Sequence, residues 1–145
     1  MTRNDIQNNI NHWYNQYKAY ESKVKETQQD ISNLSKLNGK LNEQLNNFQG
    51  YLRKRSNRIR QYAFMAQTSR IANRFLTGMQ NRIQGNEARN IVSNLVSSIN
   101  HINGQIRKLQ GDCNIYQSNM NKCAQNYHYW VRMRDEYDRR AAQQS

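Results

Sequence analysis

The sequence contains no proline and no long apolar run, and it has few acidic residues. Without proline, a helix can continue for many turns, because no residue removes a backbone hydrogen bond or clashes with the preceding turn. The apolar stretches fall short of the roughly 18 residues expected of a transmembrane helix, and the first residues do not form a secretory signal. The composition favours long helices in a chain with no transmembrane segment.

Hydrophobic residues make up only 36% of the 145 residues, whereas asparagine and glutamine together number 38. Such a polar chain cannot fill a thick globular core. It can supply a thin seam between helices, which needs only about two apolar residues in seven. The length fits one domain, so we expect a single helical domain over residues 1–145.

The first half of the chain shows a heptad pattern. Taking positions alternately four and three apart from Ile6 to Leu52 gives fourteen residues, of which twelve are apolar or aromatic. The two exceptions are Thr27 and Asn38. Because a strand would show a period of two, this pattern predicts one long helix with a coiled-coil seam. Asparagine at a seam position can fix register or partner number, which gives Asn38 a structural role.

The same spacing returns in the second half, from Val92 to Tyr137, where thirteen of fourteen positions are apolar or aromatic. Cys113 and Cys123 occupy seam positions and are interpreted as small buried hydrophobes. On one helix, ten residues span about 15 Å, too far for the two thiols to bridge each other. We therefore predict no intrachain disulfide and no metal or redox role.

Between the seams the pattern slips, and two glycines, Gly78 and Gly85, interrupt it. Each costs about 1 kcal/mol relative to alanine inside a helix. We predict an all-α fold, a long antiparallel helical hairpin or two-helix coiled coil with its bend near Gly78. Arm one would cover about 1–76 and arm two about 79–143, with position i facing roughly 154 − i. A bend at Gly85 is the alternative.

The net charge of +12 is concentrated in the middle of the chain. Residues 53–89 hold nine basic residues and one acidic residue, Glu87, and the densest run is Arg53, Lys54, Arg55, Arg58 and Arg60. This distribution predicts a negatively charged partner. The run can be interpreted in four ways: as a solvated helix face, or as a binding surface for an acidic protein, for the phosphates of nucleic acid or for a membrane surface.

No residue pattern predicts catalysis or a cofactor. The histidines His12, His101 and His128 are scattered and form no metal-binding pair. The acidic residues near the end of the chain alternate with arginines, as on a solvated face. We therefore predict a protein that is not an enzyme and binds no cofactor or metal.

The plan resembles the Trp-X-Gly family of type VII secretion substrates, and more closely the small helical partner proteins encoded beside LXG toxins in Gram-positive bacteria. The resemblance rests on Phe75-Leu76-Thr77-Gly78, on the opening seam INHWYNQYKAYESKV and on the closing seam INHINGQIRKLQGDCNIY. Leu76 stands where the family has tryptophan. The family's C-terminal Tyr-x-x-x-Asp/Glu export motif is not found in the second arm, which indicates an export signal completed by a partner.

The resemblance implies a targeting factor or chaperone that binds the N-terminal helical domain of an LXG toxin, together with a second small helical protein. It would act in the cytoplasm before export and leave the cell, if it is secreted, without a cleaved signal peptide. Apolar residues outside the intramolecular seam would pack on the toxin, and arginines would supply charge complementarity. The predicted partner-binding residues are Phe64, Met65, Ile71, Phe75, Leu76, Gly78, Arg53, Arg55, Arg58 and Arg60.

Two other functions fit the sequence. A basic coiled coil that binds nucleic acid through Arg53–Arg60 would be retained on polyanions with a steep salt dependence. A structural coiled coil that associates with itself, with Asn38 setting the oligomer state, would need no other partner. The clustering of the basic residues favours a charged partner over self-association, and the lack of a nucleic-acid-binding motif favours a protein partner.

Overall fold

The computed structural model describes residues 1–65 and 70–144, with the side chains of these ranges except those of 63–65 and 72. The described chain consists of three α-helices: α1, Arg3–Met65; α2, Arg70–Gln84; and α3, Asn86–Gln144. The predicted all-α helical hairpin is confirmed, because α1 is met by antiparallel segments from the second half of the chain.

Both predicted seams are real. Every one of the fourteen positions from Ile6 to Leu52 is buried or half-buried, and so are thirteen of the fourteen from Val92 to Tyr137. The exception is Tyr137, which is 40% exposed. Coverage continues for two positions beyond Leu52, at the half-buried Ser56 and the buried Ile59. The strict alternation expects Arg55 after Leu52, and Arg55 is exposed, so the pattern did not predict this continuation.

The chain divides into two compact units. Unit 1 comprises residues 1–33 and 106–145, and unit 2 comprises residues 34–105. In unit 1, Arg3 holds Asp138 with two hydrogen bonds, Nε to Oδ1 at 2.8 Å and a terminal guanidinium nitrogen to Oδ2 at 3.2 Å. These hydrogen bonds lower the pKa of the Asp138 carboxyl and raise that of the Arg3 guanidinium. The pair joins the start of α1 to the end of α3.

Unit 1 also contains contacts between aromatic residues of the two arms. The rings of Tyr14 and Tyr127 lie 5.9 Å apart, and those of Tyr20 and Tyr116 lie 6.4 Å apart. Lys23 Nζ lies 5.4 Å from the centres of both Tyr20 and Tyr116. Aromatic and cation–π contacts thus join the two arms of unit 1, in addition to the buried aliphatic residues Ile6, Ile10 and Val24.

The first turn of α1 has a reciprocal cap that the sequence analysis did not identify. The Asp5 backbone N–H donates to Thr2 Oγ1 at 3.1 Å, and the Thr2 backbone N–H donates to the Asp5 carboxylate at 2.8 Å. The second of these bonds is the main reason that the pKa of Asp5 is lowered. The Thr-x-x-Asp spacing is the signal that could have predicted the cap.

In unit 2, one hydrogen bond joins polar residues of the two arms. Asn38 Nδ2 donates to Asn103 Oδ1 at 2.6 Å, and Asn38 is buried. Its own Oδ1 is, among the described residues, the one buried side-chain nitrogen or oxygen with no hydrogen-bond partner. Asn38 therefore marks the register of the two arms at a cost in solvation.

The observed register differs from the expected one. The contacting positions 3 and 138, 7 and 134, 14 and 127, and 38 and 103 each add up to 141, whereas a fold centred on Gly78 predicted about 154. α1 ends at Met65, and Gly78 is a helical residue inside α2. The reason is that one glycine costs only about 1 kcal/mol, less than α2 gains by burying Leu76 and half-burying Met79 and Ile83.

The alternative breaker, Gly85, does separate two helices. A Cβ atom at this position would overlap the carbonyl oxygen of Asn81, so the backbone here suits glycine alone. The interruption also shifts the apolar stripe: Leu76, Met79 and Ile83 precede it, and Ala88 and Val92 resume after it, two residues later than an unbroken four-three alternation would place them. Gly85 thus lets both helices face α1.

Candidate protein-docking surface

The predicted basic residues lie on exposed helix faces of unit 2. Arg53, Arg55, Arg58 and Arg60 are exposed on α1, and so is Lys54. Four further arginines of the return arm are exposed as well: Arg70, Arg74, Arg82 and Arg89. In the described part of the chain none of these nine takes part in an ion pair, since the four salt bridges all lie in unit 1. Unit 2 therefore presents a positive surface whose nine basic side chains form no ion pair with a described residue.

Two apolar side chains of α2 face solvent. Ile71 is 83% exposed and Phe75 is 67% exposed, although both are large hydrophobic residues. They lie four residues apart, which places them one above the other on the same helix face. A helix that buries one face and exposes a second apolar stripe has more apolar surface than its own hairpin covers.

The other predicted partner-binding residues divide into two groups. Leu76 is buried inside unit 2, so it holds α2 against the hairpin, and Gly78 is exposed with open space around it. Phe64 and Met65 lie outside the side chains that the structure describes. Ile71 and Phe75 are thus the apolar members of the predicted set whose side chains are exposed.

A groove runs along unit 2, and its position and lining residues were not predicted from the sequence. Its volume is about 320 Å³, and we call it the Tyr51 groove. Its floor and walls are mostly apolar, and two arginines and one glutamate also line it. The lining residues are Phe48, Tyr51, Leu52 and Arg55 of α1, Met79, Arg82 and Ile83 of α2, and Glu87, Ala88 and Ile91 of α3.

Arg55 and Tyr51 form a fixed pair at this groove. The Arg55 Nε donates to the Tyr51 hydroxyl at 3.0 Å, and the guanidinium carbon lies 5.5 Å from the centre of the same ring. The residues are one helical turn apart, which is the spacing at which side chains of one face meet. The pair orients a guanidinium whose remaining N–H groups are free of any described carboxylate. The Tyr-x-x-x-Arg spacing is the sequence signal for it.

The described residues offer few groups for chemistry. They contain no group of three or more histidine, cysteine, aspartate or glutamate side chains that could hold a metal ion. Cys113 and Cys123 are buried, as their seam positions predicted, and neither forms a disulfide. Burial raises the pKa of the Cys123 thiol. The histidines contact separate neighbours: Trp13, Gln105 and Tyr127.

Comparison of the chain with protein-family models, with curated proteins and with solved structures gives no match. Over the residues described, none of the three helices has an apolar stretch long enough to cross a membrane.

Proposed function

We propose that this protein is a targeting factor or chaperone that binds the N-terminal helical domain of an LXG-type toxin for type VII secretion in Gram-positive bacteria. The observation that carries the proposal is the pair of exposed apolar residues on α2, Ile71 and Phe75. They would pack on a helix of the toxin domain, side by side with α2. Covering such a side chain contributes about 1.5–3 kcal/mol.

The thinness of the hairpin supports this function. Among the described residues, no large side chain is less than 2% exposed, so two helices alone do not enclose a core. The chain exposes 11103 Å², whereas an average monomer of 17.3 kDa exposes about 7,800 Å². Additional helices from a partner would cover the remaining apolar surface and complete a bundle.

The sequence resemblance supplies the kind of partner. The small helical proteins encoded beside LXG toxins share the hairpin plan, and a second small helical protein would join the same bundle. Since the Tyr-x-x-x-Asp/Glu motif is not found in the second arm, the export signal in this proposal is completed within the complex. The complex forms in the cytoplasm before export.

The test is co-expression with the N-terminal helical domain of an LXG toxin, followed by purification after nuclease treatment and at high salt. We expect a stoichiometric complex that survives both steps. Phe75→Ser should weaken it about tenfold or more, since one buried aromatic side chain is lost. Ile115→Ser is the matched control, because Ile115 is 58% exposed but lies on α3 in unit 1.

Absence of a complex would overturn the proposal, and so would equal weakening by both substitutions.

A second candidate function has its own observation. Tyr62 is 59% exposed and follows the exposed run Arg53–Arg60, so an aromatic ring and several cations share one stretch of α1. Single-stranded nucleic acids bind surfaces that combine positive charge with rings for stacking. In the same purification, this function predicts nucleic acid that is carried through and is released by salt.

A further inference from the structure

The Tyr51 groove has the lining and the length needed to bind the side chains of a third helix. Its apolar residues come from both arms, and they lie along the direction of the helices, over 48–55 on α1 and 79–91 on the return arm. These stretches cover about 10 Å and 18 Å of helix. An amphipathic helix recognises such a groove with side chains spaced three and four residues apart.

The charge around the groove defines what its occupant must carry. Arg55 and Arg82 line it, and neither forms an ion pair with any described residue. The single acidic lining residue, Glu87, has no ion-pair partner among the described residues either. An occupant with carboxylates near the two arginines would supply the missing counter-charges, and a basic residue near Glu87 would fix its direction.

A second copy of this chain does not fit these requirements. Residues 53–89 hold nine basic residues and one acidic residue, so two copies that met through this region would bring like charges together. Like charges across an interface cost affinity and suppress the pairing. The charge of this region therefore favours an occupant of opposite charge.

Nucleic acid fits the groove less well than an acidic helix. Phosphates would meet the arginines and bases could stack on Phe48 and Tyr51, but the other five apolar lining residues have no ring: Leu52, Met79, Ile83, Ala88 and Ile91. Bases stack on aromatic rings and gain little from aliphatic side chains. Apolar side chains of a helix gain from the whole surface.

We infer that the Tyr51 groove binds an acidic amphipathic helix of a partner protein, with carboxylates on Arg55 and Arg82 and an apolar stripe on Leu52 and Ile83. The inference rests on the proposed function in that the partner is helical, and it adds the place and the charge of the helix. The α2 face at Ile71 and Phe75 is a separate contact, since neither residue lines the groove.

The probe is a fluorescent, helical 18-residue peptide with a leucine and alanine stripe flanked by glutamates. Its control replaces every glutamate by glutamine, with matched helicity by circular dichroism. We expect the glutamate peptide to bind the full chain about tenfold more tightly than the glutamine peptide at low salt. The difference should shrink as salt screens the pairs.

Two pairs of variants place the binding. Arg55→Glu with Arg82→Glu should weaken the glutamate peptide about tenfold or more, because two attractions become repulsions. Arg132→Glu with Arg139→Glu makes the same charge change at exposed residues of unit 1 and should have a small effect. Tyr51→Ala should weaken both peptides, whereas Tyr129→Ala, at a tyrosine of similar exposure, should weaken neither.

Equal loss in both double variants would overturn the inference, because it would show attraction to net charge alone. No binding of the glutamate peptide would overturn it as well, and so would displacement of the peptide by a short oligothymidine at lower concentration. Each result leaves the co-purification with the toxin domain, and its dependence on Phe75, as a separate test of the proposed function.

Discussion

Asn38 shows how a single residue can hold two arms in register. It occupies a seam position, donates one hydrogen bond to Asn103 and leaves its own buried oxygen unpaired. A leucine here would fit the heptad without any register preference, since leucine pairs equally well with neighbouring seam positions. The asparagine therefore lowers the free energy of unfolding but favours one alignment of the two arms.

Asn38→Leu should raise the free energy of unfolding by about 1 kcal/mol, since it removes a buried polar group without a full set of partners. It should also allow species other than the native hairpin. Urea denaturation measures the first effect and sedimentation velocity the second. Asn46→Leu, an exposed position on α1, serves as the control and should change neither. A less stable Asn38→Leu protein would contradict this account.

At the scale of the helices, the sequence was a good guide to which residues meet a neighbour. All fourteen positions that the four-three spacing picked out from Ile6 to Leu52 are covered, because this spacing follows one face of a helix. It did not identify the alignment of the two arms, because a heptad pattern moved by seven residues still matches its partner. Contacts such as Asn38 with Asn103 decide the alignment, and they depend on individual side chains.

The docking surface was predictable to a similar extent. The apolar residues of the middle segment were recognised, but the sequence did not separate exposed Ile71 and Phe75 from buried Leu76 and Ile59. On α2, the exposed apolar residues and the buried ones are close in sequence, so the sequence alone does not show which of the two groups faces α1. The Tyr51 groove was missed because its residues come from three helices.

Gly78 and Gly85, on either side of the end of α2, should respond to substitution in opposite directions. Gly78→Ala should stabilise the protein by up to about 1 kcal/mol, since a Cβ atom there meets nothing within 4 Å and alanine is the better helix former. Gly85→Ala should destabilise it, because its Cβ would overlap the Asn81 carbonyl oxygen. Thermal and urea unfolding of the two variants measure the difference. Stabilisation by both would show that Gly85 is no more than a weak helix residue.

For the molecule as a whole, charge is distributed unevenly between the two units. All four ion pairs of the described residues lie in unit 1, and residues 34–105 carry eleven basic residues against two acidic ones. Self-repulsion of like charges destabilises a folded chain, and salt screens it.

We therefore expect added sodium chloride to stabilise the isolated protein. The urea midpoint should rise between about 10 mM and 150 mM salt, over which the screening length falls from about 30 Å to about 8 Å. A variant with Arg53→Gln, Arg58→Gln and Arg60→Gln should show a smaller rise. A midpoint that falls with salt would mean that attractive ion pairs outweigh the repulsion.

The bond between Arg3 and Asp138 joins residues 135 positions apart in the chain, and this separation has a consequence during synthesis. A ribosome adds about 5–20 residues per second, so the start of α1 waits on the order of ten seconds before its partner segment exists. Unit 2 closes over much shorter separations, such as the 65 positions between Asn38 and Asn103. Throughout this delay, the seam of residues 3–33 is the apolar surface that the growing chain displays longest, and it is where a nascent-chain chaperone would bind.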